Sequence, residues 1–346
     1  VETGEPYIMF GDTVSAALPQ AQKDLGLTVS QSNLCSEITL PTSSDRTAVC
    51  CLSSVNLEEY DSWSKEEKFI PDLVRMLDNV ITYFIENAPD QLEKARYSAM
   101  RERSIGLGAM GFHAYLQRHL IPFESALAKG RNMAMFKHIK TRAEEASRQL
   151  AVERGEAPDM VGTGLRNAHL LAIAPNASSS IICGNTSPSI EPYRANAYTQ
   201  KTKSGSSLQK NEYLEALLQD LDMDNDEVWK SIVLNGGSVQ HLEFLDDWTK
   251  DVFKTAVEID QRWVVDLAAD RQNYICQSQS LNLFYPANVS KQELHVSHMM
   301  AWKKKVKTLY YLRSEAYRRA EKVSEEALRQ MVVDSIDENA CLACEG

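Results

Sequence analysis

Three residues spaced two apart, Asn33, Cys35 and Glu37, stand in the segment Ser32-Asn-Leu-Cys-Ser-Glu37. In an extended chain, residues i, i+2 and i+4 point to one face. An amide, a thiol and a carboxylate are therefore expected on one side, with Leu34 and Ser36 turned away. A carboxylate two positions from a thiol does not lower its pKa by charge, because two anions disfavour each other. A thiolate nucleophile wants a cationic neighbour. This arrangement instead suits a thiol that stays protonated, or acts as a radical, beside a carboxylate base. Taken alone, the three residues also fit a buried Cys next to a surface Glu.

Further thiols and phenols accompany them. Ala48-Val-Cys-Cys-Leu52 carries a vicinal pair; on a strand Cys50 and Cys51 face opposite sides, so one can enter the pocket of Cys35 while the other packs. The last six residues are Cys341-Leu-Ala-Cys-Glu-Gly346. No second pair and no nearby His makes this a zinc site, and a thioredoxin-type motif would open a helix after a strand. A tethered terminal dithiol can swing, reduce a disulfide elsewhere and present itself to an external reductant; the alternative is a tail with incidental cysteines. His295 and His298 have no evident third ligand, so no metal site is expected. Tyr310 and Tyr311 are either core aromatics or steps of an oxidation path. Pro175-Asn-Ala-Ser-Ser-Ser180, small residues after a short apolar run, reads equally as a phosphate cradle or an ordinary polar loop.

These residues need a scaffold. The 346-residue chain is 43% hydrophobic and 25% charged, a globular composition long enough to bury a core without staples. Its net charge of −11 argues against generic binding to nucleic acid or anionic membranes. No run reaches the roughly 18 apolar residues of a membrane span. The first residues lack the pattern of a signal peptide, and seven cysteines, an odd number, do not suggest a disulfide framework. A reducing cytoplasm is the expected setting.

Short apolar runs at 7–10 and 38–40 read as strands. Ile70, Leu73, Val74, Leu77, Ile81 and Phe84 at helical spacing predict a helix over 66–87, and Phe136, Ile139, Ala143, Ala146 and Leu150 predict another over 133–154. A buried strand is expected at 170–174, helices near 211–218, 247–269 and 291–302, and an aromatic strand at 307–312. Interleaved strands and helices indicate an α/β fold. Gly106-Leu-Gly-Ala-Met-Gly111 spells a dinucleotide fingerprint, but no apolar strand leads into it and no acid follows at the ribose-reading offset. Close packing or a tight turn is the expected use of these glycines.

In order along the chain, Glu2-Thr-Gly-Glu-Pro-Tyr7, Ser32–Ile38, Ala48–Ser53 with Asn56-Leu57, Arg103–Gly108, Pro122–Ser125, Ile190–Tyr193, Gln277–Asn282, Lys307–Tyr311 and the terminal dithiol resemble one family. That family is the large, catalytic subunit of class I ribonucleoside-diphosphate reductase. The resemblance implies the C-terminal part of a ten-stranded α/β barrel over 1–312, with a central finger loop at 32–38. A flexible tail over 313–346 would end in the redox dithiol. It implies that a radical from a separate, metal-containing small subunit passes through Tyr311 and Tyr310 to Cys35. The Cys35 thiyl then takes the 3′-hydrogen of a ribonucleoside diphosphate, Glu37 takes the 3′-hydroxyl proton, and Asn33 binds the substrate. Cys50 helps reduce the 2′ position as water leaves. Cys341 and Cys344 restore the resulting disulfide at the expense of thioredoxin or glutaredoxin. Asn176, Ala177, Ser178 and Ser179 match the loop that binds the substrate diphosphate.

The resemblance also implies what this chain lacks. The ATP cone, the dNTP effector region, the first barrel strands and the cysteine that pairs with Cys50 belong upstream. Cys183 and Cys276 match no position, and Cys51 points away. The chain is expected to be the C-terminal half of the large subunit, to bind no cofactor itself, and to need the missing half for turnover. The competing readings are a stand-alone thiol–disulfide oxidoreductase using the terminal pair and an inactive fragment.

Overall fold

The computed structural model describes residues 4–202 and 205–314. The expected tail with Cys341 and Cys344 lies outside the described residues. Among the described residues there are eight strands: β1 (Ile8–Met9), β2 (Cys51–Asn56), β3 (Ile105–Met110), β4 (Ala197–Thr202), β5 (Gly205–Lys210), β6 (Leu283–Tyr285), β7 (Thr308–Leu309) and β8 (Leu312–Ser314). β2 and β3 run parallel, Cys51 beside Ile105 through Asn56 beside Met110. Parallel bridges then join Leu107 to Leu171 and Ile173 to Gln279. β6 continues that last segment and pairs parallel with β8, while β7 pairs antiparallel with β1. The result is an arc of a barrel, five parallel segments with helices outside. Among the described residues β2 pairs on one side only.

The helices follow from their apolar stripes and caps. Phe69–Asn87 buries Ile70, Val74, Leu77 and Ile81, with Pro71 harmless in the first turn. The helix expected to begin at 133 starts earlier, as Ala126–Arg154, because the Ser125 hydroxyl accepts from Ala128 N at 3.1 Å and Gly130 interrupts the apolar stripe without breaking the helix. The predicted 247–269 helix is two, Asp247–Val252 and Gln261–Gln272, each started by an aspartate cap, Asp246 and Asp260. Residues 38–40 form no strand. They cross the arc, with Ile38 and Leu40 packed on Ala172, Ala48 and Cys50, so their backbones have no ladder to join. The run at 170–174 is extended but paired only through two bridges. The strand expected over 307–312 is broken at Tyr310 and Tyr311, where pairing passes from β1 to β6.

The fingerprint-like glycines are packing devices. A Cβ on Gly106 would sit 2.4 Å from Leu52 Cδ2, and one on Gly108 would sit 2.6 Å from the Ala172 carbonyl oxygen. Gly111, at φ +80°, turns β3 into the next helix. Residues 197–253 carry a second, smaller core around Trp229, Leu214 and Phe253. No helix among the described residues is long and apolar enough to cross a membrane.

Asp78 locks the outer layer. It is fully buried on the Phe69–Asn87 helix and accepts from Arg103 Nε (3.0 Å), Arg154 Nη1 (2.8 Å), Arg166 Nε (3.4 Å) and Asn167 Nδ2 (3.3 Å). Burial alone would raise its pKa, but the Arg103 hydrogen bond and the surrounding guanidiniums outweigh that and hold it below the ordinary value. Asp78→Ala strands three guanidiniums and is expected to cost about 3–5 kcal/mol, read by urea unfolding. Because the folded pKa is depressed, the stabilisation is present above the unfolded value of about 4 and is lost as pH falls through the folded one. A wild-type acid limb no steeper than that of the variant would contradict this.

Candidate active site

The segment carrying Asn33, Cys35 and Glu37 is a turn, not the extended strand expected. Ser36 N donates to the Asn33 carbonyl (3.1 Å), Ser36 sits at φ +69°, and Ile38 N donates to Asn33 Oδ1 (3.1 Å). Side chains no longer alternate on a plane. Asn33 is exposed, Cys35 half-buried and Glu37 buried at 2% exposure, while Leu34 projects outward at 78%. The Asn33 carboxamide is thus spent partly on closing the turn that presents Cys35.

One strand-like segment, 277–280, holds this turn. Ser278 N donates to the Glu37 carbonyl (3.0 Å), and the Ser278 and Thr39 hydroxyls are 3.0 Å apart. The Ser280 hydroxyl lies 2.5 Å from the Cys35 carbonyl oxygen and 3.0 Å from Glu37 Oε2. Three residues before Ser280, Gln277 Nε2 donates to Cys50 Sγ (3.3 Å) and to the Ile105 carbonyl (3.0 Å). Cys50 packs with Ile38, Leu40 and Ala172, whereas Cys51 packs against the main core, so the expected opposition of the two thiols is present. Burial pushes the Cys50 thiol well above its ordinary pKa, only partly offset by the Gln277 hydrogen bond. It is held as a thiol, not a thiolate. Cys183 is exposed, and Cys276 Sγ accepts from the backbone amides of Leu170 and Leu171.

Tyr310 and Tyr311 lie against the turn. The Tyr310 hydroxyl donates to Cys35 Sγ at 3.5 Å, and the two tyrosine rings are 4.4 Å apart. Burial, then the Cys35 contact, raises the Tyr310 pKa. A third ring, Tyr7, stands 4.7 Å from Tyr310 and 5.0 Å from Tyr311. Below the pair, Tyr311 N donates to Asn282 Oδ1 (2.9 Å), and Asn282 Nδ2 donates to Glu191 Oε1 (2.5 Å). Burial raises Glu191 to about 7, against the pull of Arg194, Asn282 and Arg313.

The loop 176–179 follows the bridged strand. Asn176 takes φ +56° and its Oδ1 accepts from Ser54 Oγ (3.3 Å), tying the loop to β2. Ala177, Ser178 and Ser179 are exposed at the head of a one-turn helix, Ser179–Ile182. Sequence reasoning assigned no role to Tyr7, Gln277, Ser280, Asn282 or Glu191. The Gln-Ser-Gln-Ser alternation at 277–280 was a readable period-2 signal. The Tyr7 and Glu191 contacts are between distant parts of the chain and left no local trace.

The family described as "Ribonucleotide reductase, barrel domain" matches residues 1–163 and 157–312. The chain is 50% identical over 348 residues to the ribonucleoside-diphosphate reductase large subunit of Invertebrate iridescent virus 3, covering 100% of this chain and 55% of that protein. It is 51% identical over 347 residues to a putative ribonucleoside-diphosphate reductase large subunit of Frog virus 3 (isolate Goorha), covering 99% of this chain and 60% of the relative. Among solved structures, the Actinobacillus ureae class Id ribonucleotide reductase alpha subunit superposes with a TM-score of 0.86 at 42% identity, over 91% of this chain and 59% of that one. The chain therefore spans a little over half the length of these relatives. With the arc of parallel strands, the turn crossing it and these matches together, the chain belongs to the ribonucleotide reductase barrel-domain family.

Proposed function

We propose that this chain is the catalytic portion of a ribonucleoside-diphosphate reductase, converting ribonucleoside diphosphates to 2′-deoxyribonucleoside diphosphates for DNA precursor synthesis. The observation that carries the reading is the contact of Tyr310 with Cys35 at the head of a tyrosine pair whose rings are 4.4 Å apart and tilted by 54°. A metal-containing small subunit would supply the oxidising equivalent. Within this chain the Tyr311–Tyr310 pair would pass it on, and Cys35 would give its hydrogen atom to the Tyr310 oxygen. The thiyl then takes the 3′-hydrogen of the substrate, to return it to carbon 3′ at the end of turnover, and Glu37 accepts the 3′-hydroxyl proton and gives it back at that stage. Cys50, held protonated by burial, suits the donation of hydrogen at the 2′ position as the hydroxyl departs with a proton as water. Electrons come from Cys50 and a second thiol, which end as a disulfide that Cys341 and Cys344 reduce with thioredoxin or glutaredoxin.

Asn33 and the loop Asn176, Ala177, Ser178 and Ser179 would bind the substrate, the loop through amides at a helix head. The single-sided pairing of β2 supports assembly with an upstream half that supplies both the missing strands and the second reducing cysteine. ATP and dNTP effectors would bind that half. The barrel over 1–312 and a tail over 313–346 remain the proposed division, with a cytoplasmic setting.

Conversion of CDP to dCDP, with the small subunit and the upstream half present, is the direct test. Cys35→Ala and Tyr310→Phe are expected to abolish turnover even with dithiothreitol, whereas removal of residues 341–346 is rescued by it. The reverse pattern, with Cys35→Ala active and the truncation dead, would mark a simple thiol–disulfide oxidoreductase. Independently, iodoacetamide at mildly alkaline pH should label exposed Cys183 well before Cys50, read by peptide mass spectrometry; equal rates would show that Cys50 is not held as a thiol.

A further inference from the structure

Gln277 is fully buried, yet its carboxamide is only partly satisfied. Nε2 donates to Cys50 Sγ (3.3 Å) and to the Ile105 carbonyl (3.0 Å), while Oε1 is buried without a partner. A buried acceptor left unmade costs free energy. An apolar side chain of similar volume would avoid that cost, so stability alone does not account for the amide. Its orientation is fixed, because turning the carboxamide over would set Oε1 against the Ile105 carbonyl oxygen, acceptor against acceptor. The Cys50 sulfur therefore receives an N–H and not an oxygen. Among the described residues no other donor reaches that sulfur, and its other polar neighbour, the Cys51 carbonyl oxygen at 3.9 Å, is an acceptor. Ile38, Leu40 and Ala172 pack around the thiol elsewhere, and Gly106 leaves it room, since a Cβ there would lie 3.0 Å from Sγ.

The main chain here is clamped independently of that side chain. Lys307 Nζ donates to the carbonyls of Ile275 (3.0 Å), Cys276 (2.7 Å) and Gln277 (2.6 Å). Gln272 Nε2 donates to those of Ile275 and Gln277 (3.2 Å each), and Gln277 N donates to the Leu171 carbonyl (3.1 Å). Residue 277 can thus change its side chain and keep its place. With the sulfur lone pair facing an N–H, the thiol hydrogen must point elsewhere, and the sulfur has one rotamer that satisfies the amide. The same N–H favours the sulfur when it carries charge, the pull that opposes burial at this thiol.

We propose that Gln277 is a positioning residue acting through Cys50: its N–H holds the sulfur in one rotamer with the thiol hydrogen turned away from the amide and free for transfer, and it steadies the sulfur as that hydrogen leaves. The proposal rests on the reading of Cys50 as a reducing thiol and adds no covalent step to it.

Two variants test it: Gln277→Met removes the donor at similar volume, and Gln277→Glu keeps the length but sets an oxygen where the N–H stood. The infrared S–H stretch of Cys50, isolated by subtracting the spectrum of Cys50→Ala, reads the hydrogen bond on the full chain without turnover and is expected to shift in both. Conversion of CDP to dCDP with the small subunit and the upstream half is expected to lose roughly tenfold in kcat in each, with KM for CDP unchanged, a split that general loosening of the site would not give. An unshifted S–H band, an undiminished kcat, or a KM that rises as far as kcat falls would overturn the proposal. A wild-type mixture unable to reduce CDP overturns the reductase reading instead, and the band alone then decides whether Gln277 holds the thiol. Thermal melts check folding; should the buried acid of Gln277→Glu prevent it, Gln277→Met decides alone.

Discussion

The backbone of residues 277–285 is hydrogen-bonded along both edges. On one side Ser280 N reaches the Ile173 carbonyl (2.8 Å) and Ile173 N reaches that of Ser278 (3.0 Å); on the other, Tyr310 N reaches Leu281 and Leu283 N reaches Tyr311 (2.8 and 3.0 Å). Pairing on both edges fixes its register, and with it every side chain it projects. Gln277 then addresses Cys50, Ser280 the Cys35 turn, and Asn282 the tyrosine pair. The candidate groups come from four separated stretches of sequence, and this one segment brings them into a common frame.

The interior around that frame is arranged to carry little charge. Desolvation raises Cys50 and Tyr310, brings Glu191 to about 7, and lowers His113 and His169 to about 3. Each shift favours the neutral form. Such surroundings suit hydrogen-atom chemistry better than ionic nucleophilic attack. Two buried cations do meet the frame, Arg271 donating to Gln279 Oε1 (3.4 Å) and Lys307 to the Gln277 carbonyl (2.6 Å), while Asp78 is matched by three arginines elsewhere.

Much of this was legible residue by residue. The apolar spacing of Ile70 to Phe84 marked its helix to within three residues, and the opposition of Cys50 and Cys51 followed from strand period. The motif series identified the family. What failed did so for physical reasons. Alternation at Asn33, Cys35 and Glu37 presumes a flat strand, and a hydrogen bond from Ile38 N to the Asn33 side chain curls it instead. The apolar run at 38–40 is buried against side chains and not paired through its backbone, a distinction that hydrophobicity does not encode. The Asp246 and Asp260 caps were present in sequence but hidden by continuous helical spacing between them. Tyr7, 303 positions before Tyr310, is brought near only by pairing of the chain's early and late segments.

The break between β7 and β8 places Tyr310 and Tyr311 on a seam. The residues before them are bonded to β1, which Tyr7 immediately precedes, and the residues after them are bonded to β6. The two tyrosines themselves ride with the 277–285 segment, through Tyr310 N on Leu281, Leu283 N on Tyr311 and Tyr311 N on Asn282. The Cys35 turn is held by Ser280 of that same segment, whereas Tyr7 is carried by β1. A small slide of β1 against β6 would therefore leave the Tyr310 to Cys35 contact in place and alter first the spacing of Tyr7 from the two rings.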